Sequence, residues 1–268
     1  MSIFRKSAAV IAGAALALTS VTAMSAVIVT ADTSLNSDGW ALGSSNMSGY
    51  TGAIQDSNNF GPGGVVSTSA TLNQVSAVNS TTLAGADVFV SSWWSDSQGA
   101  SSATAVSDLF LLQDDAGHDP IGEMLGISSF NSSQNSHSIL APELNNGAFG
   151  TVNSADQHFT QGYLDEAAVL AKGGTVAATD ANGLVTIAVW DYGDYAVGAG
   201  RMVIMADVDF ISTVGGADYT FGSLSGGAVL GLNATEYLLQ ENSVPEPATT
   251  LLLGFGLAGI GFARKKSI

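Results

Sequence analysis

Residues 184–190 read Leu184-Val185-Thr186-Ile187-Ala188-Val189-Trp190, and this stretch does most to decide the fold class. It is apolar without alternation and rich in β-branched side chains, as is typical of a strand buried on both faces of a sheet. Three other stretches share this character: Val27 to Thr30, Val88 to Ser92 and Met202 to Ala206. Such strands favour a parallel sheet that is covered by helices on both sides.

Helical patterns lie between these predicted strands. They cover Ser102 to Leu112, Gln161 to Lys172, where Gly173-Gly174 provides a stop, and Thr235 to Leu239. The alternation predicts a three-layer α/β domain with a mostly parallel sheet. An all-β sandwich is the alternative, because Lys and Glu are scarce while Thr, Ser and Gly are abundant.

Composition excludes several classes of protein. The 268 residues are 46% hydrophobic, which is too apolar for a disordered acidic tail, and they include no cysteine, so disulfides and thiolate sites are absent. Asp and Glu number 23 against seven Lys and Arg. Because 22 of the acids and only two bases, Lys172 and Arg201, lie in residues 27–243, that segment carries a net charge of −20. This balance argues against binding to nucleic acid.

The N-terminus has the three parts of a secretory signal peptide. Arg5 and Lys6 form a basic region, an apolar run extends from Ala8 to Leu18, and small residues follow as far as Ala26. We therefore predict a signal peptide over residues 1–26, read by the Sec translocon and signal peptidase, with cleavage after Ala23, Ser25 or Ala26.

The C-terminus also has three parts. Val244-Pro245-Glu246-Pro247 interrupts regular structure, Ala248 to Ala263 is uncharged, and Arg264-Lys265-Lys266 is basic. As a helix the uncharged part is about 24 Å long, close to the thickness of a bilayer core, and the basic end suits the cytoplasmic side. We predict a transmembrane helix over 248–263.

These parts in this order resemble the PEP-CTERM sorting signal of Gram-negative bacteria. The resemblance implies that an exosortase processes residues 244–268 after a transient stay in the inner membrane. It also implies delivery of the acidic domain, residues 27–243, to the cell surface or the exopolysaccharide matrix. The same signal occurs on unrelated proteins, so it implies an address and not an activity. An ordinary C-terminal membrane anchor explains the helix and the basic end, but not Val244 to Pro247.

The acidic domain resembles the class I glutamine amidotransferase-like superfamily, whose sheet is flavodoxin-like. The resemblance rests on Leu83 to Val90, on His137 to Leu140 with Asn146 to Gly150, and on Gly198 to Asp207. Amidotransferases of this superfamily use a cysteine on a tight turn between strand and helix, and this chain has none. No Gly-x-Ser-x-Gly elbow replaces it. Ser91 and Ser92 end a predicted strand, but Trp93 and Trp94 follow, and we expect them not to make the turn cheaply. These points favour a protein that is not an enzyme.

Two acidic groups are candidate ligand sites. The first group comprises Asp114, Asp115, His118 and Asp119, just before Pro120, which begins a predicted helix. It is either a metal site, for Ca²⁺ or another metal, or a solvated turn. No other cofactor is indicated. Asp207 and Asp209 follow a predicted parallel strand, where α/β proteins usually bind ligands, and Arg201 is a partner for one of them or for Asp191 or Asp194.

Several functions remain open for the acidic domain. The first is a non-catalytic surface or matrix protein, and the alternatives are a secreted carbohydrate-active hydrolase and a calcium-dependent adhesin. Trp93, Trp94, Trp190 and Tyr192 are either core residues or a stacking surface for sugars.

Overall fold

The structure, a computed structural model, describes residues 25–35, 39–94, 97–106, 108–113, 120–132, 136–156 and 161–240. Thirteen strands and six α-helices lie in these residues. The strands are β1 Ser25–Ala31, β2 Ser69–Val75, β3 Val88–Ser92, β4 Asp108–Leu112, β5 Ser129–Ser132, β6 Ser136–Ile139, β7 Asn146–Gly147, β8 Gly150–Thr151, β9 Ser154–Asp156, β10 Gln161–Leu164, β11 Thr175–Asp180, β12 Val185–Trp190 and β13 Met202–Met205. The helices are α1 Ser48–Gln55, α2 Ser97–Ala103, α3 Pro120–Met124, α4 Pro142–Asn145, α5 Glu166–Ala171 and α6 Gly226–Leu239.

Nine of these strands form one mixed sheet in the order β2-β1-β3-β4-β13-β12-β11-β6-β9. The pairings from β2 to β13 are parallel, whereas those from β13 to β9 are antiparallel. The α/β class is therefore confirmed, but the expectation of a mostly parallel sheet is wrong, since four of the eight pairings are antiparallel. The antiparallel half was missed because β6 and β9 are short and polar in sequence.

The centre of the sheet is the most deeply buried part. All residues of β3, β4, β12 and β13 are buried, as is typical of strands with mostly apolar sequences that are covered on both faces. The predicted helix over Ser102 to Leu112 is wrong in its second half, because Asp108–Leu112 is strand β4, inserted between β3 and β13. The spacing of Val106, Leu109 and Leu112 fits a helix, but burial on both sides favours a strand here.

Helices cover both faces of the sheet, and this confirms layers of helix, sheet and helix. Alternate residues of β4 divide between two cores: Phe110 and Leu112 face one, while Leu109 and Leu111 face the other. Helices α1, α4 and α6 pack on the first core, and α2, α3 and α5 pack on the second. These layers exclude the all-β sandwich.

The remaining helix predictions agree in part with the structure. The helix expected over Gln161 to Lys172 is shorter: residues 161–164 are strand β10, and α5 begins after Asp165, whose carboxylate accepts hydrogen bonds from the amides of Ala167 and Ala168. The expected stop is present at Gly173, which has a φ of 78°. The helix expected over Thr235 to Leu239 is the end of the longer α6.

Candidate functional site

The candidate site lies where the parallel strands β3, β4 and β13 end side by side. Ser92 pairs with Leu112, and Leu112 pairs with Met205. The next residues stay joined, because the amide of Trp93 donates to the carbonyl of Leu112 at 2.9 Å and the amide of Gln113 donates to that of Met205 at 3.0 Å. The carboxyl ends of such strands are the usual ligand position in α/β sheets.

Trp93 has a strained backbone. Its φ of 44° lies in the left-handed region, and it is the one non-glycine residue with positive φ in the described part of the chain. Trp93 makes the turn after β3 only at a positive φ, which is costly for a residue with a Cβ, as expected for a tryptophan at this position. A strained residue between a strand and a helix is the arrangement of a nucleophile elbow. Here the side chain at that position is an indole, which carries no nucleophile.

Buried polar atoms surround this turn. Within the described residues, Ser91 Oγ, Trp94 Nε1 and Gln113 Oε1 are buried without a hydrogen-bond partner. Ser92 is engaged, since its hydroxyl donates to the carbonyl of Trp40. Buried polar groups are seldom left unsatisfied in proteins, so this group has the character of a functional cluster. Nothing in the sequence marks Gln113, because its position depends on residues 108–112 being a strand.

Asp207 and Asp209 are both brought to this edge, but they are buried rather than open. Their exposed fractions are 0% and 3%. The Asp207 carboxylate accepts from the amide of Asp209 at 2.7 Å, and Asp209 accepts from the Ser212 hydroxyl at 2.8 Å. The two carboxylates thus organise the turn after β13, and their role as ligand residues stays a prediction. Arg201 pairs with neither: its Nε lies 3.0 Å from Asp191 Oδ1.

His137 lies on the antiparallel side of the same edge, where β6 begins opposite the end of β11. The side chain is buried, with Nδ1 3.0 Å from Thr186 Oγ1 and the ring edge-on to Phe210 at 4.6 Å between centroids. The sequence gives no signal that His137 contacts Thr186 and Phe210, because these contacts depend on pairing between strands about 40 residues apart along the chain.

At the opposite edge of the sheet, where the parallel strands begin, the carboxyl group of Asp108 is buried. Asp108 begins β4, and its Oδ1 accepts from the main-chain amide of Arg201. Burial raises the pKa of Asp108 to about 6, against the opposing effects of that hydrogen bond and of the Arg201 charge. Burial likewise raises the pKa of the Tyr195 phenol to about 12, and the charge of Asp108 adds to the effect.

Of the two alternatives for the aromatic residues, core or sugar-stacking surface, the structure favours the core for Trp94 and Trp190. Trp94 and Trp190 are fully buried in the second core, and only Tyr192 is exposed. The Trp190 indole donates to the carbonyl of Lys172 at 3.0 Å.

Several predicted features lie outside the described residues. They are the metal candidates Asp114, Asp115, His118 and Asp119, the motif Val244 to Pro247, the basic ends Arg5-Lys6 and Arg264 to Lys266, and the span 248–263. Among the described residues, no group of three or more acidic or histidine side chains is placed to hold a metal ion. None of the helices described has the length and apolar character that a membrane crossing requires.

Comparison with known proteins gives a match to a sorting motif and weak likenesses to solved structures. No curated protein matches the chain. Among solved structures, the exo-β-1,4-mannosidase Op5Man5 from Opitutaceae bacterium strain TAV5 aligns with 53% of this chain at 9% identity and a TM-score of 0.36. The alignment spans 24% of the mannosidase, and a likeness of this size carries no argument about function.

Residues 243–266 match the PEP-CTERM protein-sorting motif. The match agrees with the three-part pattern at this end of the sequence. The chain thus carries a PEP-CTERM sorting motif, which supports its assignment as an exported protein that an exosortase sorts to the cell surface or the surrounding matrix.

Proposed function

We propose that the acidic domain is a non-catalytic cargo that an exosortase releases or transfers to the cell surface or the extracellular matrix. The observation that carries the sorting proposal is the match of residues 243–266 to the PEP-CTERM motif, and its position after the fold makes processing compatible with an intact domain. Helix α6 ends at Leu239, and the motif begins at residue 243. Ten residues of α6 are buried, so this helix belongs to the domain core. Processing within the motif therefore leaves the described fold whole.

The domain itself is proposed to be flavodoxin-like in its parallel half. Five strands of the sheet are parallel: β1, β2, β3, β4 and β13. If they are numbered 1 to 5 in chain order, their order in the sheet is 2-1-3-4-5. This is the order of flavodoxin-like sheets, and it is the observation on which the proposal of a flavodoxin-like half rests. The four antiparallel strands extend that sheet on one side.

The absence of catalysis is proposed from the strained turn. A nucleophile elbow places a hydroxyl or thiol where the backbone is strained, and this chain places Trp93 there. Ser91, the neighbouring hydroxyl, is 0% exposed. A fluorophosphonate, which labels activated serines, should therefore leave both Ser91 and Ser92 unlabelled in the native protein. Labelling of either serine, mapped by mass spectrometry, would show that a nucleophile is present after all.

The sorting route is tested in the native host with three chains: the wild type, a deletion of residues 244–268, and the double variant Pro245→Ala/Pro247→Ala. We expect the wild type to be recovered from the surface or medium with an intact mass that lacks both ends. The deletion should accumulate in the periplasm or medium without surface attachment, and the double variant should keep its C-terminal segment. Normal surface delivery of the deletion would refute the sorting proposal.

A further inference from the structure

We propose that the groove between α1 and the loop before α6 binds a neutral oligosaccharide. Two adjoining clefts form this groove. The first has a volume of about 610 Å³ and includes Gly52 and Asp56 of the α1 region together with Asp218 and Tyr219. The second has a volume of about 380 Å³ and includes Phe149, Phe221 and Leu224. Asn59 lines both clefts and marks the point where they meet.

Asn59, which lines both clefts, carries a side-chain oxygen that accepts no hydrogen bond from the described residues. The residue is 2% exposed, and its Nδ2 donates to the carbonyl of Ala53 at 2.9 Å, which fixes the orientation of the amide. Its Oδ1 has no hydrogen-bond partner among the described residues. A buried carbonyl oxygen without a donor costs stability unless something else donates to it. A ligand hydroxyl in the groove would satisfy it.

The acidic side chains of the first cleft are hydrogen-bond acceptors. Asp56 Oδ1 accepts from the amide of Asn58 at 2.9 Å, and Asp218 Oδ1 accepts from the amide and hydroxyl of Thr220 at 2.9 and 2.7 Å. The hydrogen bonds from Thr220 lower the pKa of Asp218, so this carboxylate stays ionised and can only accept. Among the residues that the structure describes, neither Lys nor Arg lines either cleft. The groove therefore selects ligands that donate hydrogen bonds, and it disfavours anions.

The arrangement of acids and aromatic rings separates a sugar chain from a small cation. Both carboxylates line the first cleft alone, and Phe149 and Phe221 line the second alone. Phe221 is 58% exposed, so its ring is available to the flat apolar face of a sugar. The Tyr219 ring lies with both carboxylates in the first cleft, so a small cation would occupy that cleft alone. An elongated ligand with hydroxyl groups along its edge and apolar faces contacts the carboxylates of the first cleft and the phenylalanine rings of the second at once. The net charge of −20 on residues 27–243 repels anionic polysaccharides.

Gly52 provides a clean way to block the groove. A Cβ built on Gly52 meets nothing within 4 Å, and this glycine does not have a positive φ. Because Gly52 lies within α1, replacement by another residue favours the helix. We expect Gly52→Trp to fill the first cleft while the fold is kept, and Gly52→Ala is the matched control that leaves the cleft open. Phe221→Ala tests the second cleft independently.

The test uses the full-length chain, purified in a detergent without a sugar head group, and measures binding by calorimetry. The probes are cellotetraose, maltotetraose and chitotetraose, with spermidine and tetragalacturonate as charged comparisons. At least one neutral tetrasaccharide should bind with a Kd of about 1 mM or tighter. Gly52→Trp should weaken this affinity at least about tenfold, Phe221→Ala about fivefold, and Gly52→Ala less than twofold.

Three results would overturn the proposal: none of the neutral tetrasaccharides binds, spermidine binds at the groove in their place, or Gly52→Trp binds as the wild type does. Circular dichroism confirms that each variant is folded. Binding is measured on the isolated chain and does not depend on delivery. Failure here and failure of the sorting proposal are therefore separate outcomes.

Discussion

Arg201 is joined to the end of the last helix: its Nη1 donates to the main-chain carbonyl of Gln240 at 2.7 Å. The same guanidinium donates through Nε to Asp191 Oδ1 at 3.0 Å and lies 5.2 Å from the centre of the Tyr237 ring. A cation at a helix C-terminus stabilises the carbonyls that have no partner in the helix. One of the two bases in residues 27–243 therefore stabilises the end of α6 through Gln240, three positions before the sorting motif begins.

Replacing this base should loosen the end of α6. Because Arg201→Met removes a charge-assisted hydrogen bond, we expect the free energy of unfolding to fall by about 2 kcal/mol and Tm to fall by about 4–8 °C. The Tm of Arg201→Lys should lie between those of the wild type and Arg201→Met, because one ammonium group cannot make both hydrogen bonds of the guanidinium group. Lys172→Met, at an exposed side chain, makes the same change in net charge and should leave Tm nearly unchanged. Equal losses in the two methionine variants would show that charge alone is responsible.

The carboxyl group of Asp108 should make stability depend on pH. Its pKa of about 6 in the folded state is above the ordinary value of 3.8. The folded protein therefore binds the proton more tightly, and the stabilisation is complete below pH 4 and lost as the pH rises through 6. Asp108→Asn keeps an acceptor for the amide of Arg201 and removes the charge.

We expect Asp108→Asn to match the wild type near pH 4 and to exceed it at pH 7.5 by about 1–2 kcal/mol, allowing for screening by water at the edge of the sheet. Urea unfolding at both pH values measures this difference. Glu143→Gln at an exposed site is the control and should show no such dependence. A variant that is less stable than the wild type at pH 7.5 would mean that the buried charge is compensated.

The strain at Trp93 can be separated from the loss of its side chain. Both Trp93→Gly and Trp93→Ala remove the indole, but only alanine keeps a Cβ at a φ of 44°. We therefore expect the glycine variant to be more stable than the alanine variant by about 1 kcal/mol. Ser92 does not have a positive φ, so there we expect Ser92→Ala to be more stable than Ser92→Gly. Thermal unfolding of the four variants decides whether the left-handed turn is kept in solution.

The first strand limits where the signal peptide can be cut. Ser25 and Ala26 are already part of β1 and pair with Ser69 and Ala70 of β2. Cleavage after Ala23 leaves all seven residues of the strand, whereas cleavage after Ala26 removes two of them. We expect the mature chain to begin at Met24, and the intact mass of the exported protein measures this directly. A mature chain that begins at Val27 would show that the domain folds without those two pairings.

The sequence predicts best what depends on neighbouring residues. The sorting motif is local, so the sequence alone predicts it. Strand β3 agrees with its predicted bounds, Val88 to Ser92, because its β-branched and aromatic start favours a strand without reference to its neighbours. Strand β4 was missed because its register against β3 and β13 is a tertiary property. The positive φ of Trp93 and the place of Gln113 depend on that strand, so the candidate site could not be assembled from sequence. The open groove beside Asn59 likewise requires residues about 160 positions apart to meet.

The pairing of β4 with β13 also has a consequence for how the chain folds during export. Asp108 and Arg201, at the start of that pairing, are separated by 93 residues, so contacts that are distant in sequence must close the middle of the sheet. While the chain emerges from its N-terminus, β1 to β4 can pair among themselves, but one edge of β4 stays open until β13 arrives. An open edge invites pairing with other chains. The motif begins at residue 243, and Met205 ends β13, so only 38 residues separate closure of the sheet from arrival of the sorting signal. On the proposed route, β13 can therefore cover the open edge of β4 while the C-terminus of the chain is still held at the membrane.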